Sequence, residues 1–390
     1  MRLVIPVTLV AAALLAAAAL ARAGGEAAYG IVWPDLKGAA HLVRIDPVTV
    51  RAQGRTAATL GQNTLGHAVS PDRSQFVFGR HDVTTLRFVA LPSLRATGDV
   101  ELGLGDVEWL LWPGNRIVAL YRLKKTTLAV VDPEIRMVTR RWRFRGPIES
   151  VRAAAGRVVL LEWPVEAPGP TTLHLLEPDN RLRSVRLERI AAGVQQKAGK
   201  VVQIDQPGLA IDDTGTRAFV VDRDGEICEV VLDTLAVACH QLRVTASVAK
   251  GDEAWFQRQL RWVGPDTLAL SGWQKPRRGP GPAAKAIGLS LIDTRTWQRR
   301  LLDPGTDTFL FAGGTIVAQS TGKLLGFAPD GTKRYDRPVA SASGIVSVAP
   351  PYLYVAREYR PSLVLDLATG RLLGTANTLK IHPLSDPDAW

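Results

Sequence analysis

The 390-residue sequence predicts an all-β chain in which four-stranded modules repeat around an eight-bladed β-propeller. Three observations carry that expectation. Apolar and polar residues alternate in short runs suited to strands. A recurring turn follows such runs, as in "HLVRIDPVTV", "LAVVDPEIRM", "LSLIDTRTWQ" and "LVLDLATGRL". The turns return about every 45 residues, near the length of a four-stranded blade. They open at Asp46, Leu91, Asp132, Glu177, Asp233, Asp293, Ala328 and Asp366.

Each module reads as four strands, A to D from the innermost outward, with the recurring turn between C and D. In the module that begins "VEWLLWPGN", the predicted strands are Val107–Leu111, Arg116–Tyr121, Thr127–Val131 and Met137–Phe144. The A–B turns are rich in Pro, Gly and Asp, as in "SPDRS", "WPGN" and "DDTGT". Asp and Asn there accept hydrogen bonds from their own backbone, and Gly supplies positive φ. The C–D aspartates do the same, which makes them turn residues rather than catalytic groups.

The two ends complement each other. The chain opens with text for B, C and D strands only: "YGIVW", "HLVRID" and "VRAQGR". The missing A strand is expected at the C-terminus, where "TLKIHPLSDPD" resembles "TLGHAVSPD". Pairing of the N- and C-terminal strands would close the ring and leave no free edge at the seam. Seven blades result instead if the short module at Thr308–Val339 is not a blade of its own.

Ahead of the repeats, "MRLVIPVTLVAAALLAAAALARAGG" has the form of a signal peptide, residues 1–23, cut after Ala21-Arg22-Ala23. A single propeller domain over 24–390 follows. The alternative is an uncleaved anchor, since the apolar run is about long enough to span a bilayer. Export implies a secreted, periplasmic or cell-envelope location and no stable membrane insertion after cleavage. Removing Arg2 and Arg22 with the signal lowers the formal charge from +11 to +9. Such a chain is drawn to anionic polymers or lipid head groups; scattered basic residues and export argue against nucleic acid. Cys228 and Cys239 flank the turn at Asp233-Thr234, so a disulfide can bridge that hairpin in an oxidising compartment. Two buried thiols out of register are the alternative.

The stretches "IDPVT", "VVDPE" and "LDLATGRLLGT" resemble repeats of the YVTN/quinoprotein-like β-propeller superfamily. The resemblance covers most of the chain after the signal and implies a propeller fold and export. That superfamily includes quinone-cofactor dehydrogenases, lactonase-like enzymes and binding proteins. The regular Trp-docking signatures of quinoprotein alcohol dehydrogenases are missing here, and no cofactor is expected.

Function is expected where connections are long. Two D–A connections (Arg189–Gly208 and Val244–Gln259) and two B–C connections (Trp163–Thr171 and Gly272–Ala286) all leave the same face of a propeller. They carry Lys197, Lys200, Lys250, Lys275, Arg277 and Arg278, with Gln195, Gln196 and Gln257 for neutral hydrogen bonding. Trp163, Trp255 and Trp273 offer flat apolar surfaces, although Trp163 and Trp33, each before Pro at the end of a B strand, read better as wedges. Asp106, Glu108, Glu149, Arg258, Arg261 and Asp307 fall in or before A strands and would rim the channel. Trp255, Trp273, Arg277, Arg278, Lys197, Arg258 and Arg261 are therefore the candidate binding residues. His67 and His382 occupy one station of two A strands, but zinc usually takes at least three protein ligands, and no metal is expected. Arg141, Arg143 and Arg145 line one face of an outer strand, where charge discourages edge pairing. No nucleophile elbow, His-Glu-x-x-His motif or phosphate loop is present. The sequence thus favours a non-enzymatic exported propeller that binds an anionic cell-envelope polymer or another exported protein. A lactonase-like or quinoprotein-like enzyme with its site at the channel mouth is the alternative.

Overall fold

The computed structural model describes residues 28–32, 39–61, 64–80, 84–165, 168–197, 200–243, 254–276, 285–339, 342–357, 360–378 and 381–386. The expected signal segment, Trp33, Lys250, Arg277 and Arg278 lie outside them. Among the described residues the regular elements are all strands. None of these residues forms a helix long and apolar enough to cross a membrane.

One module shows why this sequence folds this way. Strands Asp106–Leu111, Ile117–Arg122, Thr126–Asp132 and Met137–Arg143 form an antiparallel meander in sequence order. The two middle strands, "IVALYR" and "TTLAVVD", are buried along nearly their whole length. They are covered on both faces by neighbouring sheets, so they read as continuous apolar runs rather than alternating ones. The outer strand "MVTRRWR" is mostly exposed, including Arg141 and Arg143.

The described strands form six four-stranded sheets and one ten-stranded sheet, in the arrangement of a β-propeller. The short module around Thr308–Val339 is a full sheet of its own, running from Thr306–Ala312 to Lys333–Pro338. In the sheet holding the N-terminus, Ala28–Val32 pairs antiparallel with the chain's last strand, Ile381–Pro383, with Ile31 opposite His382. Apolar clusters fill the spaces between successive modules. One joins Val77, Leu86 and Phe88 to Val107, Leu110 and Ile117. Another joins Val43, Ile45 and Val50 near the N-terminus to Tyr354, Val364 and Ala376 near the C-terminus.

The recurring turn has one backbone pattern. The carbonyl of its first residue accepts the N–H of the fifth, as in Val50 to Asp46, Trp297 to Asp293 and Gly370 to Asp366. That fifth residue has positive φ: 52° at Val50, 58° at Trp297 and 67° at Gly370. The same pattern begins at Ala90 and Val231, which moves the openings read at Leu91 and Asp233 back by one and two residues. At Glu177 and Ala328 the contact is instead to the fourth residue, Asn180 and Gly331. The turn aspartates act as expected: Asp46 Oδ1 accepts from the Thr49 N–H at 2.7 Å and from the Val48 N–H at 3.1 Å.

The ten-stranded sheet differs most from expectation. Parts of the connections read as loops are strands. Leu182–Lys197 runs on past its module and turns back as Lys200–Gln206. That return strand pairs in parallel with the start of Ala254–Gly264, Ile204 opposite Trp255 and Gln206 opposite Gln257. Strand Thr267–Pro276 continues the extension on the other side. A ribbon thus links the module at Ile148–Lys197 to the one at Ala254–Asp303 across the intervening sheet Gly208–Gln241 in sequence.

Candidate functional site

Inner strands of several sheets line two cavities that meet. Their first halves line a cavity of about 370 Å³ through Glu149, Gln206, Gly208, Gln257, Arg258, Asp307 and Thr308. Their second halves line one of about 580 Å³ through Leu110, Val151, Ala153, Ile211, Arg261, Val263 and Phe311. Trp109 and Arg152 belong to both walls, so the two cavities adjoin there.

Period-2 geometry sorts the ribbon's side chains into two faces. Register places Ile204, Gln206, Trp255, Gln257 and Trp273 on one of them. Trp255 is 38% exposed, while Trp273 and Gln257 lie in the wall of the smaller cavity. Trp255 and Trp273 sit on adjacent antiparallel strands, each two positions from the other's partner, which makes them diagonal neighbours. The opposite face carries Asp205, Phe256 and Arg258 and packs downward. Asp205 is buried, accepts from Gln203 at 2.7 Å and meets Arg223 at 3.2 Å. The Arg223 guanidinium lies 5.1 Å from the centre of the Phe256 ring.

The sequence-derived candidates therefore separate. Arg258 is buried and donates to the carbonyls of Arg223 at 2.6 Å, Gln257 at 3.1 Å and Trp273 at 3.4 Å. Burial lowers its pKa to about 10, and these bonds tie the ribbon to the sheet beneath. Arg261, three residues on, reaches the larger cavity. Lys197 is the last residue of its strand. Trp163 is buried; its backbone N–H donates to the Pro147 carbonyl, and its indole Nε1 has no hydrogen-bond partner among the described residues.

Of the expected rim residues, Glu108 lines the larger cavity and Glu149 and Asp307 the smaller. Arg122 bridges two modules, meeting Glu108 and Glu149 at 2.9 Å each. Burial raises the Glu108 pKa against the pull of Arg122, and burial also raises that of Asp307. His67 Nε2 lies 3.0 Å from the Ser385 carbonyl oxygen. A carbonyl only accepts, so Nε2 carries the proton, and burial holds the imidazole neutral by lowering its pKa. Burial lowers the His382 pKa as well. Among the described residues, the one His/Cys/Asp/Glu group close enough to share an ion is Glu226, Cys228 and Cys239. Its two sulfurs are joined in the disulfide.

Sequence reading missed Arg152 and Arg122. Arg152 follows "IESV" on an inner strand, and its alternation with Val151 was the available signal. Arg122 lies on a second strand and pairs with Glu108 of its own sheet and Glu149 of the next.

No model of a known protein family matches the sequence. No curated protein matches it either. Solved structures do. The dihydro-heme d1 dehydrogenase NirN, in complex with DHE, aligns with a TM-score of 0.56 at 13% identity, over 94% of this chain and 76% of that one. BamB from Moraxella catarrhalis aligns with a TM-score of 0.50 at 12% identity, over 85% of this chain and 96% of that one. At such identities the likeness concerns the fold alone, which is the β-propeller that the repeats pointed to.

Proposed function

We propose that the protein is an exported, non-enzymatic propeller that binds another exported protein over the face carrying the D–A and B–C connections. The observation that carries this reading is where exposed apolar side chains fall. Among the described residues, four of the ten exposed large apolar side chains, Leu104 (78% exposed), Leu123 (64%), Val165 (67%) and Trp255, sit on connections or strand ends of that face, and the other six lie on outer strands or at C–D turns. The four belong to modules whose inner strands start at Asp106, Ile148 and Ala254. Single exposed apolar residues are ordinary, but several on one rigid face suit a docking surface. Lys124 and Lys125 are exposed beside Leu123 and fit an acidic rim on the partner. Trp273, Lys197, Arg277 and Arg278 complete the candidate set, while Arg261 lies in the larger cavity.

The reading includes eight blades in a closed ring. What supports eight is that the ten-stranded sheet divides into two four-stranded meanders, Ile148–Ala154 through Leu182–Lys197 and Ala254–Gly264 through Arg299–Asp303, joined by the ribbon strand. What supports closure is the pairing of the terminal strands and the apolar cluster between Ile45 and Tyr354. The Cys228–Cys239 disulfide suits an oxidising, extracytoplasmic location.

The test is recovery of partners from the organism's exported fraction on the immobilised mature chain. Replacing Trp255, Trp273, Arg277 and Arg278 together by Ala is expected to abolish recovery while Tm changes by less than about 3 °C, as for surface substitutions. Equal recovery by wild type and variant would reject the proposal. A bound anionic polymer would be released in about 0.5 M salt, whereas a protein held by apolar contacts would stay.

A further inference from the structure

We infer that Ser184 is a base-activated nucleophile, apart from the docking residues, which accepts the acyl group of an activated carboxylic ester. Three strands of one module build the site. Glu162 ends Arg157–Glu162, His174 lies in Gly169–Leu176, and Ser184 stands near the start of Leu182–Lys197. Register sets His174 opposite both Leu160 and Ser184, and Glu162 opposite Thr172. Period-2 alternation then puts Glu162, His174 and Ser184 on the same face of the sheet. On that face Leu160 and Leu176 share an apolar cluster with Phe144 and Trp142 of the preceding module.

The three side chains form a hydrogen-bonded chain. His174 Nε2 lies 2.7 Å from Glu162 Oε2, and His174 Nδ1 lies 2.7 Å from Ser184 Oγ. Glu162 is fixed in turn by the Gly146 N–H, which donates to Oε1 at 2.5 Å. Burial pulls the Glu162 pKa up, but the bonds from His174 and Gly146 outweigh it and hold the group below its ordinary value. A carboxylate only accepts, so Nε2 carries the proton of the neutral ring and Nδ1 keeps its lone pair. Ser184 therefore donates its hydroxyl proton to Nδ1. The order is nucleophile, base, orienting acid, with the two ring nitrogens exchanged relative to the commonest serine triads. The imidazole is buried, its ring centre 4.8 Å from that of Phe144, whereas Ser184 is exposed. The base is thus shielded while the nucleophile faces solvent. Leu182, two residues before Ser184, and Trp142 are half-buried in the same cluster and give a short acyl chain an apolar surface. In the reaction, Nδ1 takes the hydroxyl proton as Oγ attacks the carbonyl carbon. The tetrahedral adduct then expels the alkoxide or phenolate, which takes the proton back from Nδ1. The products are a Ser184 ester and a free alcohol or phenol.

Reaction of the chain with p-nitrophenyl acetate tests this, with nitrophenol release followed by absorbance and the acetyl group located by peptide mass spectrometry. Acetyl is expected on Ser184. Ser184→Ala changes an exposed side chain and should leave Tm within about 3 °C. It should slow release at least about tenfold, to the background of surface lysines. Glu162→Gln keeps the size of the side chain and removes its charge. It should slow release by about tenfold or more, with any remaining acetyl still on Ser184. Acetyl on Ser184 that depends on Glu162 supports the proposal whether the ester persists or is hydrolysed. Turnover would in addition contradict the non-enzymatic part of the binding reading, which partner recovery tests separately. Release from wild type no faster than from Ser184→Ala, acetyl confined to lysines, or an unchanged rate in Glu162→Gln overturns the proposal.

Discussion

Asp222 is a turn residue whose chemistry departs from its sequence context. It sits in a turn, where Oδ1 accepts the N–H groups of Asp224 and Glu226 at 2.9 Å each. Burial outweighs those bonds, with help from the neighbouring acids, and lifts its pKa to about 6. A carboxyl whose folded pKa lies above the unfolded one binds its proton more tightly in the fold. The stability it contributes is complete below about pH 4 and lost as pH rises through 6. Asp222→Asn keeps the accepting Oδ1 and removes the charge. It should stabilise the chain by about 1–2 kcal/mol at pH 7 and by nothing at pH 4, read from urea unfolding at both. An equal effect at the two pH values would show that ionisation is not the cause. Asp46 is the opposite case. Hydrogen bonds from Thr49 hold its pKa below the usual value, so its contribution is present at neutral pH and fades in acid. Asp46 reads from sequence as a turn aspartate, whereas Asp222 stands out in no turn pattern there. Their opposite titration was not legible, because burial depends on which module packs above the turn. Arg152 escaped notice for the same reason: the pattern "IESVRAA" does not say whether its charge meets solvent or a closed channel.

At the scale of the element, hairpins were legible and their extensions were not. Strands Glu226–Val231 and Ala236–Gln241 pair with Cys228 directly opposite Cys239, the register needed for the bridge read from spacing alone. The two cysteines stand 11 residues apart. Closing so short a loop in the unfolded chain stabilises by about 2–3 kcal/mol. Replacing both with Ser should lower stability by that amount in thermal or urea unfolding, and a reducing agent should do the same to the wild type alone. An unchanged midpoint would mean that the bridge does not form in solution. The ribbon defeated sequence reading because its evidence is long-range. Gln195 and Gln196 sit at a bulge, and Lys200–Gln206 is held between an antiparallel partner and a parallel one from beyond residue 253. Parallel pairing has no tight-turn signature in the text between the partners. The consequence for function is a stiffer platform: Trp255 and Trp273 stand on paired strands rather than on loose loops.

For the whole molecule, the seam decides whether the modules act as one body. The missing inner strand was legible because "TLKIHPLSDPD" repeats the text of another inner strand, and the pairing of Ile31 with His382 follows it. Three contacts reinforce the junction. Tyr354 is fully buried and its hydroxyl donates to the Pro47 carbonyl at 2.8 Å. The cluster around Ile45 and Val364 fills the space between the two modules. Gly30 admits the last strand closely, since a Cβ there would fall 2.8 Å from Ile381 Cγ2 and 3.1 Å from the His382 carbonyl oxygen. These contacts differ in what their loss removes. Tyr354→Phe takes away one hydrogen bond and leaves the carbonyl of the half-buried Pro47 without its donor, at a cost of about 1 kcal/mol. Gly30→Val forces the last strand outward while leaving every other module intact. A chain ending at residue 376 removes that strand and leaves Ala28–Val32 as an unpaired inner edge. If the ring acts as one cooperative unit, the two substitutions shift a single unfolding transition downward, and the truncation splits or abolishes it. If the truncated chain instead melts in one transition at the wild-type temperature, the modules are stable as an open row. The central channel would then owe nothing to closure.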